Sequence, residues 1–354
     1  MPRVILTLLL LCHSFCPRSA EVTFADPGLL SSADTSQSRV VIVHNPAATR
    51  ALSVQADTVA SMVDKGVVAL TGRTNALDAW RSLVPASAVV GVKVHSSPGS
   101  ASGTRPAVVS AILRGLINAG HPKDRIVLWD RRVSDLRSAG FDDLASSLGV
   151  RLAGAVDAGY DPENPYENSV LGQLVFGDLE FPRFAVSGIT NELVGRKSHF
   201  SRLLTRDITH HIVVAPLLNH NLAGVSGIIY SVASAATDNF LRFESSPMLL
   251  ARAVPEIFGN TNIADRIVLN VVDALIGQYE GSQRTWLQYS AAPNELRFGF
   301  DPVALDVLSI EELNRIRHTA GAPSITNRFE LYENARWMEL GTDSVRKLEI
   351  LRIE

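Results

Sequence analysis

Apolar residues fall along this chain in short β-branched runs, each followed by polar residues and then by apolar positions at helical spacing. The clearest such unit covers residues 89–116. Val89, Val90, Val92 and Val94 predict a strand covered on both faces, as in a parallel sheet. Ser96, Ser97, Gly99, Ser100, Ser102 and Gly103 predict a tight loop. Thr104 is placed to cap a helix, and Pro106 fits its first turn. Val108, Val109, Ile112 and Leu116 then share one helical face.

The alternation repeats on both sides of this unit. Strands are predicted at 39–43, 126–129, 212–215 (closed by Pro216), 267–272 and 296–300, with a further one at 151–157. Helices are predicted from Asp57 through Leu70, and at 75–83, 134–148 with a break near Gly140, 222–236, 303–316 and 329–340. Residues 159–200 lack clean periodicity and predict an irregular insert or small subdomain, with short strands near 174–176 and 184–186. Residues 277–286 read as a polar loop. The expected fold class is α/β: a mostly parallel sheet flanked by helices on both faces, with an irregular insert near the middle of the chain.

The N-terminus follows a different pattern. Arg3 precedes an apolar run at 4–11, too short for a bilayer but suited to a signal peptide, and small residues Ser19 and Ala20 end it. The expectation is a signal peptide at 1–20, a flexible linker at 21–38 and one α/β domain at 39–354, exported to the periplasm or outside the cell. Both cysteines, Cys12 and Cys16, lie in that leader. The mature chain is therefore expected to carry no disulfide, iron–sulfur cluster, thiolate metal site or cysteine nucleophile. With 33 basic against 36 acidic side chains and no basic stripe, nucleic acid is not an expected partner. No second apolar segment reaches membrane length, so no membrane span is expected in the mature chain.

Ligands on open α/β sheets bind beyond the carboxyl ends of the strands. The predicted strand ends carry Lys93 and His95, Asp130 with Arg131 and Arg132, Asn219, His220 and Asn221, Asp273, and Asp301. The same polar residues also suit a chain re-entering solvent, and Asp before Pro is ordinary turn chemistry. Asp130, Asp273 and Asp301 are candidate oxygen ligands for a divalent cation. His210 and His211 alternate across a strand and so point to opposite faces, whereas His95 and His220 offer a second route to a metal. Ser96, Ser97 and Ser226 lack a nucleophile-elbow setting. Trp80, Trp129 and Trp286 read as packing residues.

In order and spacing, VVGVKVHSSPG with TRPAVVSAILRGL, IVLWDRR, HHIVVAPLLNHNLAGVSG, TDN, RIVLNVVDALIGQYEG and FDPVALDVL resemble the family known as domain of unknown function 362. The resemblance spans nearly the whole mature chain, without the ferredoxin-like cysteine domain that some members add. It implies an exported α/β protein and matches Lys93, His220, Gly224, Asp238, Asn239, Asp273 and Asp301 to the family pattern. Where similar sequences carry a Lys, this chain has Asn219, and Tyr230-Ser231 replaces a Lys-Asn pair. The expected function is binding of, or action on, a small anionic molecule bearing phosphate or carboxylate. Lys93, Ser96, Ser97, Gly99, Thr104, Asn219, His220, Asn221, Gly224, Asp238 and Asn239 would form the ligand site. Lys93, Asp130, His220, Asp273 and Asp301 are the catalytic candidates. The alternative is a non-catalytic binder or scaffold that has lost basic groups from the site.

Overall fold

The structure, a computed structural model, describes residues 37–173, 194–281, 284–326 and 329–354. The expected leader, nearly all of the linker and the short strands near 174–176 and 184–186 lie outside them. The fold is an α/β sandwich. Its principal strands are β1 (Ser38–His44), β2 (Val90–Val94), β3 (Ile126–Asp130), β4 (Arg151–Gly154), β7 (His210–His220), β8 (Ile267–Gln278), β9 (Glu295–Gly299) and β10 (Leu348–Ile353). Strands β5 (Tyr160–Gln173) and β6 (Val194–Ser201) pair antiparallel in a separate two-stranded arm, which takes the place of the irregular insert.

Across the main sheet the order is β10-β1-β9-β8-β7-β2-β3-β4. Neighbours are parallel everywhere except at β9, which runs antiparallel to both β1 and β8. Burial on both faces explains the apolar runs. In β1, Val40 and Ile42 join one core while Val41 and Val43 join the other, as a period of two requires. Helices α1 (Ala56–Thr71), α2 (Ala76–Leu83), α3 (Pro106–Asn118), α4 (Val133–Ser138) and α5 (Phe141–Leu148) contribute to the core of the second face. Helices α6 (Ile228–Ala236), α7 (Pro247–Phe258), α8 (Pro302–Thr319) and α9 (Phe329–Trp337) cover the first.

Several elements differ from the sequence reading. Strand β7 runs through Pro216 to His220, because the register to β8 breaks between Asp273 and Gln278 and no regular ladder bond is required there. Residues 222–227 form a β-turn return, with Gly224 and Val225 pairing back onto His220 and Asn219. The helix therefore begins only at Ile228. Gly224 sits at φ 86°, in the left-handed region that favours glycine. Helix α7 and edge strand β10 had no counterpart in the sequence reading. No described helix is long and apolar enough to cross a membrane.

The chain steps outward from β2 to β3 and β4 in one direction, then adds β7 and β8 on the other side of β2. The connection leaving β2 leads to α3 on one face, and that leaving β7 leads to α6 on the opposite face. The topological switch point therefore lies between the carboxyl ends of β2 and β7. Connections diverging to opposite faces leave a crevice there, the usual ligand position in this class of fold.

Candidate functional site

The loop leaving β2 is held by its own polar groups. Thr104 Oγ1 accepts the His95 N–H at 2.9 Å and donates to the Val214 carbonyl at 2.7 Å. Its hydroxyl thus ties two strands together, and Arg105 rather than Thr104 occupies the cap position of α3. A Cβ on Gly103 would collide with the His95 carbonyl, so the tight loop requires glycine there. Gly99 takes a left-handed φ of 74° and faces open space.

Lys93 is fully buried, and its ammonium is already engaged. Nζ lies 2.8 Å from Asp130 Oδ1 and donates to the Val94 carbonyl at 2.6 Å. Burial pulls the Lys93 ammonium below its ordinary pKa, with Asp130 opposing. Burial pushes Asp130 upward, but Lys93, His95 and the Ser96 hydroxyl more than offset this and hold its carboxyl below the usual value. Asp130 Oδ2 also accepts both the Ser96 N–H (2.7 Å) and Oγ–H (2.6 Å). Lys93, Asp130 and Ser96 therefore form a closed internal unit, rather than the open anion cradle expected of Lys93 and Ser96.

Asp273 is engaged in a comparable way. Its Oδ2 accepts the Arg105 N–H at 3.0 Å, and Oδ1 lies 3.1 Å from the Arg105 guanidinium. The N-terminus of α3, which the sequence offers to an external anion, is taken by an internal one.

Asp301 lies elsewhere. Strand β9 runs against its neighbours, so its carboxyl end pairs Gly299 with Val40 and Asn270, near the opening residues of β1 and β8. Asp301 is thus at the edge of the sheet opposite Lys93. It caps α8 through Ala304 N–H (2.8 Å) and binds Ser38 Oγ (2.8 Å) and Thr342 N–H (2.9 Å). The proposed cation set of Asp130, Asp273 and Asp301 is not brought together. No group of three potential metal-ligating side chains converges among the described residues.

Asp238 and Asn239 serve the arm. Asp238 Oδ1 accepts the His199 N–H at 2.6 Å, Oδ2 lies 3.2 Å from His199 Nδ1, and Asn239 Nδ2 donates to the Lys197 carbonyl at 3.3 Å. Asn219 is buried and donates to Asn221 Oδ1 at 2.9 Å. Ser226 is buried within the β7 return. His211 is also buried, at the opening of β7, with Nε2 3.3 Å from the Asn262 carbonyl.

Two cavities occupy the crevice at the switch point. One, of about 160 Å³, is lined by His95, Ser97, Asp130, Arg131, Arg132, Asp135, Tyr230, Ser234 and Glu244, among others. The second, of about 590 Å³, is lined by His220, Asn221, Leu222, Glu244, Gly281, Arg284 and Trp286. Glu244 borders both. The Tyr230 ring, facing the first, lies 4.3 Å centroid to centroid from the His220 ring, facing the second. The Tyr230 hydroxyl donates to Glu244 Oε1 at 2.6 Å. Other surface cavities reach about 600 Å³, but they lie by helices such as α7 and α9, away from the strand ends.

Both histidines in the crevice are neutral. Burial pushes His95 down to about 4 and His220 down to about 3. His220 Nδ1 receives the Leu222 and Ala223 N–H groups at 3.2 and 2.9 Å, so its proton is on Nε2. His95 Nε2 is buried with no partner. Imidazoles this acidic make poor general bases near neutral pH, and His220 serves instead as a donor through Nε2. Arg131 is oriented by donation from Nη1 to the Ser234 carbonyl at 2.6 Å.

The sequence reading reached the strand-end residues His95, Ser97, Asp130, His220 and Asn221 but not Tyr230, Ser234, Glu244 or Arg284 as lining residues. Those come from a helix, a short helical turn and a loop, where no periodicity marks a site. Trp286, read as a packing residue, is 39% exposed and borders the larger cavity.

No family model matches the chain, and no curated protein matches it. A crystal structure of a protein from Thermotoga maritima is similar, with a TM-score of 0.40 and 12% sequence identity. The alignment covers 76% of this chain and 60% of that protein, so the chain spans less than two thirds of its length.

Proposed function

We propose that this chain is a small-molecule-binding protein whose ligand carries a phosphate or carboxylate into the smaller cavity at the switch point. The supporting observation is the lining of that cavity, where Arg131 and Arg132 stand with His95 and Ser97 beyond the ends of β2 and β3. The arginines suit planar oxyanions. Lys93 and Asp273 support the crevice from behind, while Asp130, which borders the cavity, has its oxygens engaged by Lys93 and Ser96. Binding is preferred over turnover because neither crevice histidine has the near-neutral pKa that best suits a general base. The apolar run after Arg3 and the resemblance to the domain of unknown function 362 family support an exported protein.

The test is a thermal-shift screen of the full chain against phosphorylated and carboxylated metabolites, repeated on His95→Ala and Arg132→Ala. A ligand at one hundred times its Kd stabilises the parent by about 2.7 kcal/mol. Both substitutions should abolish that shift. A cooperatively melting parent that no anion stabilises sinks the proposal.

A further inference from the structure

We infer that the ligand has two parts: a polar ring that stacks on Trp286 in the larger cavity, and an anionic group that passes Glu244 into the smaller one. This inference rests on the anion-binding reading above and adds the class of molecule, a phosphorylated sugar or nucleoside.

Volume makes the first argument. The anion cavity, at about 160 Å³, is below the range of roughly 300–1,000 Å³ that small-molecule sites usually occupy, while its neighbour, at about 590 Å³, falls within it. A ligand confined to the first would be little more than a free anion. The two are adjacent, since Glu244 borders both and the Tyr230 and His220 rings are in contact across the divide.

Lining chemistry makes the second. Trp286 leaves 39% of its surface exposed, and its ring is stacked on Tyr289 at 6.0 Å and 29°. The main chain also holds it, since Trp286 N–H donates to Gln278 Oε1 at 3.0 Å. Thr285 Oγ1 donates to the Pro98 carbonyl at 2.6 Å, fastening this loop to the one leaving β2. An exposed indole held this firmly is a platform with little ordering entropy left to lose on binding. Around it stand His220, with its proton on Nε2, and Asn221, Glu244 and Arg284. Donors and acceptors lining one cavity with an exposed indole suit a ring edged with hydroxyl or amide-like groups and do not suit an alkyl chain.

The experiment is calorimetric titration of the full chain with adenosine 5′-monophosphate, glucose 6-phosphate and inorganic phosphate. The parent is compared with Trp286→Ala, Trp286→Phe and His95→Ala. The expected result is that at least one ring-bearing phosphate binds tenfold or more tightly than inorganic phosphate. Trp286→Ala should erase that advantage while leaving the Kd for inorganic phosphate unchanged, and Trp286→Phe should restore much of it. Preference between the two ring compounds separates a nucleobase from a sugar. If all three bind equally, or Trp286→Ala weakens none of them, while His95→Ala still abolishes binding, the ring subsite is overturned and the anion pocket stands. If none of the three binds the parent, the phosphorylated-ring inference falls, and the anion pocket stands only if a carboxylate stabilises the parent in the thermal-shift screen.

Discussion

Asp273 closes the N-terminus of α3 from β8, two strands across the sheet from β2: one oxygen takes the Arg105 N–H at 3.0 Å while the other meets the Arg105 guanidinium at 3.1 Å. One carboxylate thereby satisfies an orphan helix donor and neutralises a buried cation. The remaining guanidinium bonds go to the Ala101 and Ile276 carbonyls, at 3.1 and 2.9 Å. The positive end of this helix is spent on the fold itself, and the ligand crevice forms beside it.

Replacing Asp273 by Ala is expected to destabilise the protein by about 3–5 kcal/mol, the usual cost of leaving one partner of a buried pair uncompensated. Asp273→Asn should cost less, because an amide oxygen still accepts the Arg105 N–H. Urea unfolding of the three proteins checks the order. A loss below about 1 kcal/mol for Asp273→Ala would mean that Arg105 finds other solvation.

Lys93 and Asp130 give a parallel expectation with a sharper internal control. Lys93→Met leaves Asp130 buried without its counter-ion and should also cost about 3–5 kcal/mol. Adding Asp130→Asn removes the stranded charge and keeps an acceptor for Ser96 N–H, so the double variant should be more stable than Lys93→Met alone. A double-variant cycle in urea reads this coupling directly. Additive losses would show that the two side chains do not act as a pair.

The sequence made the architecture legible because burial on both sheet faces leaves a period that short windows detect. Val40 to Val43 and Val90 to Val94 carry it plainly. It also located the strand ends, and hence His95, Ser97, His220 and Asn221. Strand direction was not legible: the pattern of residues 295–299 is the same in either orientation, and its reversal moved Asp301 to the opposite edge. Nor could one-dimensional spacing reveal that Lys93 and Asp130, 37 positions apart, neutralise each other across adjacent strands. Tyr230 stood out only as a replacement within a Lys-Asn pair, and Glu244 was missed as a lining residue because nothing in its local sequence differs from ordinary capping residues.

His199 predicts a pH dependence of the arm. Its bond to Asp238 raises its pKa above the ordinary 6.5, with burial opposing. A group whose folded pKa is raised binds its proton more tightly in the folded state. Its contribution is complete below pH 6.5 and is lost as pH climbs through the higher folded value. Stability of the parent should therefore fall more steeply above pH 6.5 than that of His199→Gln. Chemical denaturation at matched pH values measures the difference, and parallel curves would remove His199 from the account.

Asp306 predicts a slope in a lower window. This carboxyl, fully buried in α8, accepts the Ile228 N–H at 2.6 Å and the Ile229 N–H at 3.1 Å, closing the N-terminus of α6 behind Tyr230. Burial pushes its pKa up from 3.8 to about 7, although the two N–H bonds pull the other way. Below pH 3.8 the folded and unfolded states both hold the proton. Between 3.8 and about 7 the unfolded carboxyl ionises freely while the folded one resists. The unfolded state then binds fewer protons, so this residue's contribution to stability falls with rising pH across that window and is flat above it. Asp306→Asn keeps an acceptor oxygen and cannot ionise, so subtracting its stability curve from that of the parent should isolate the slope. Gly227→Ala supplies an independent check on the packing, since a Cβ there would collide with the Asp306 carboxylate. It should destabilise the protein, whereas a neutral effect would mean that α6 and α8 separate readily at this contact.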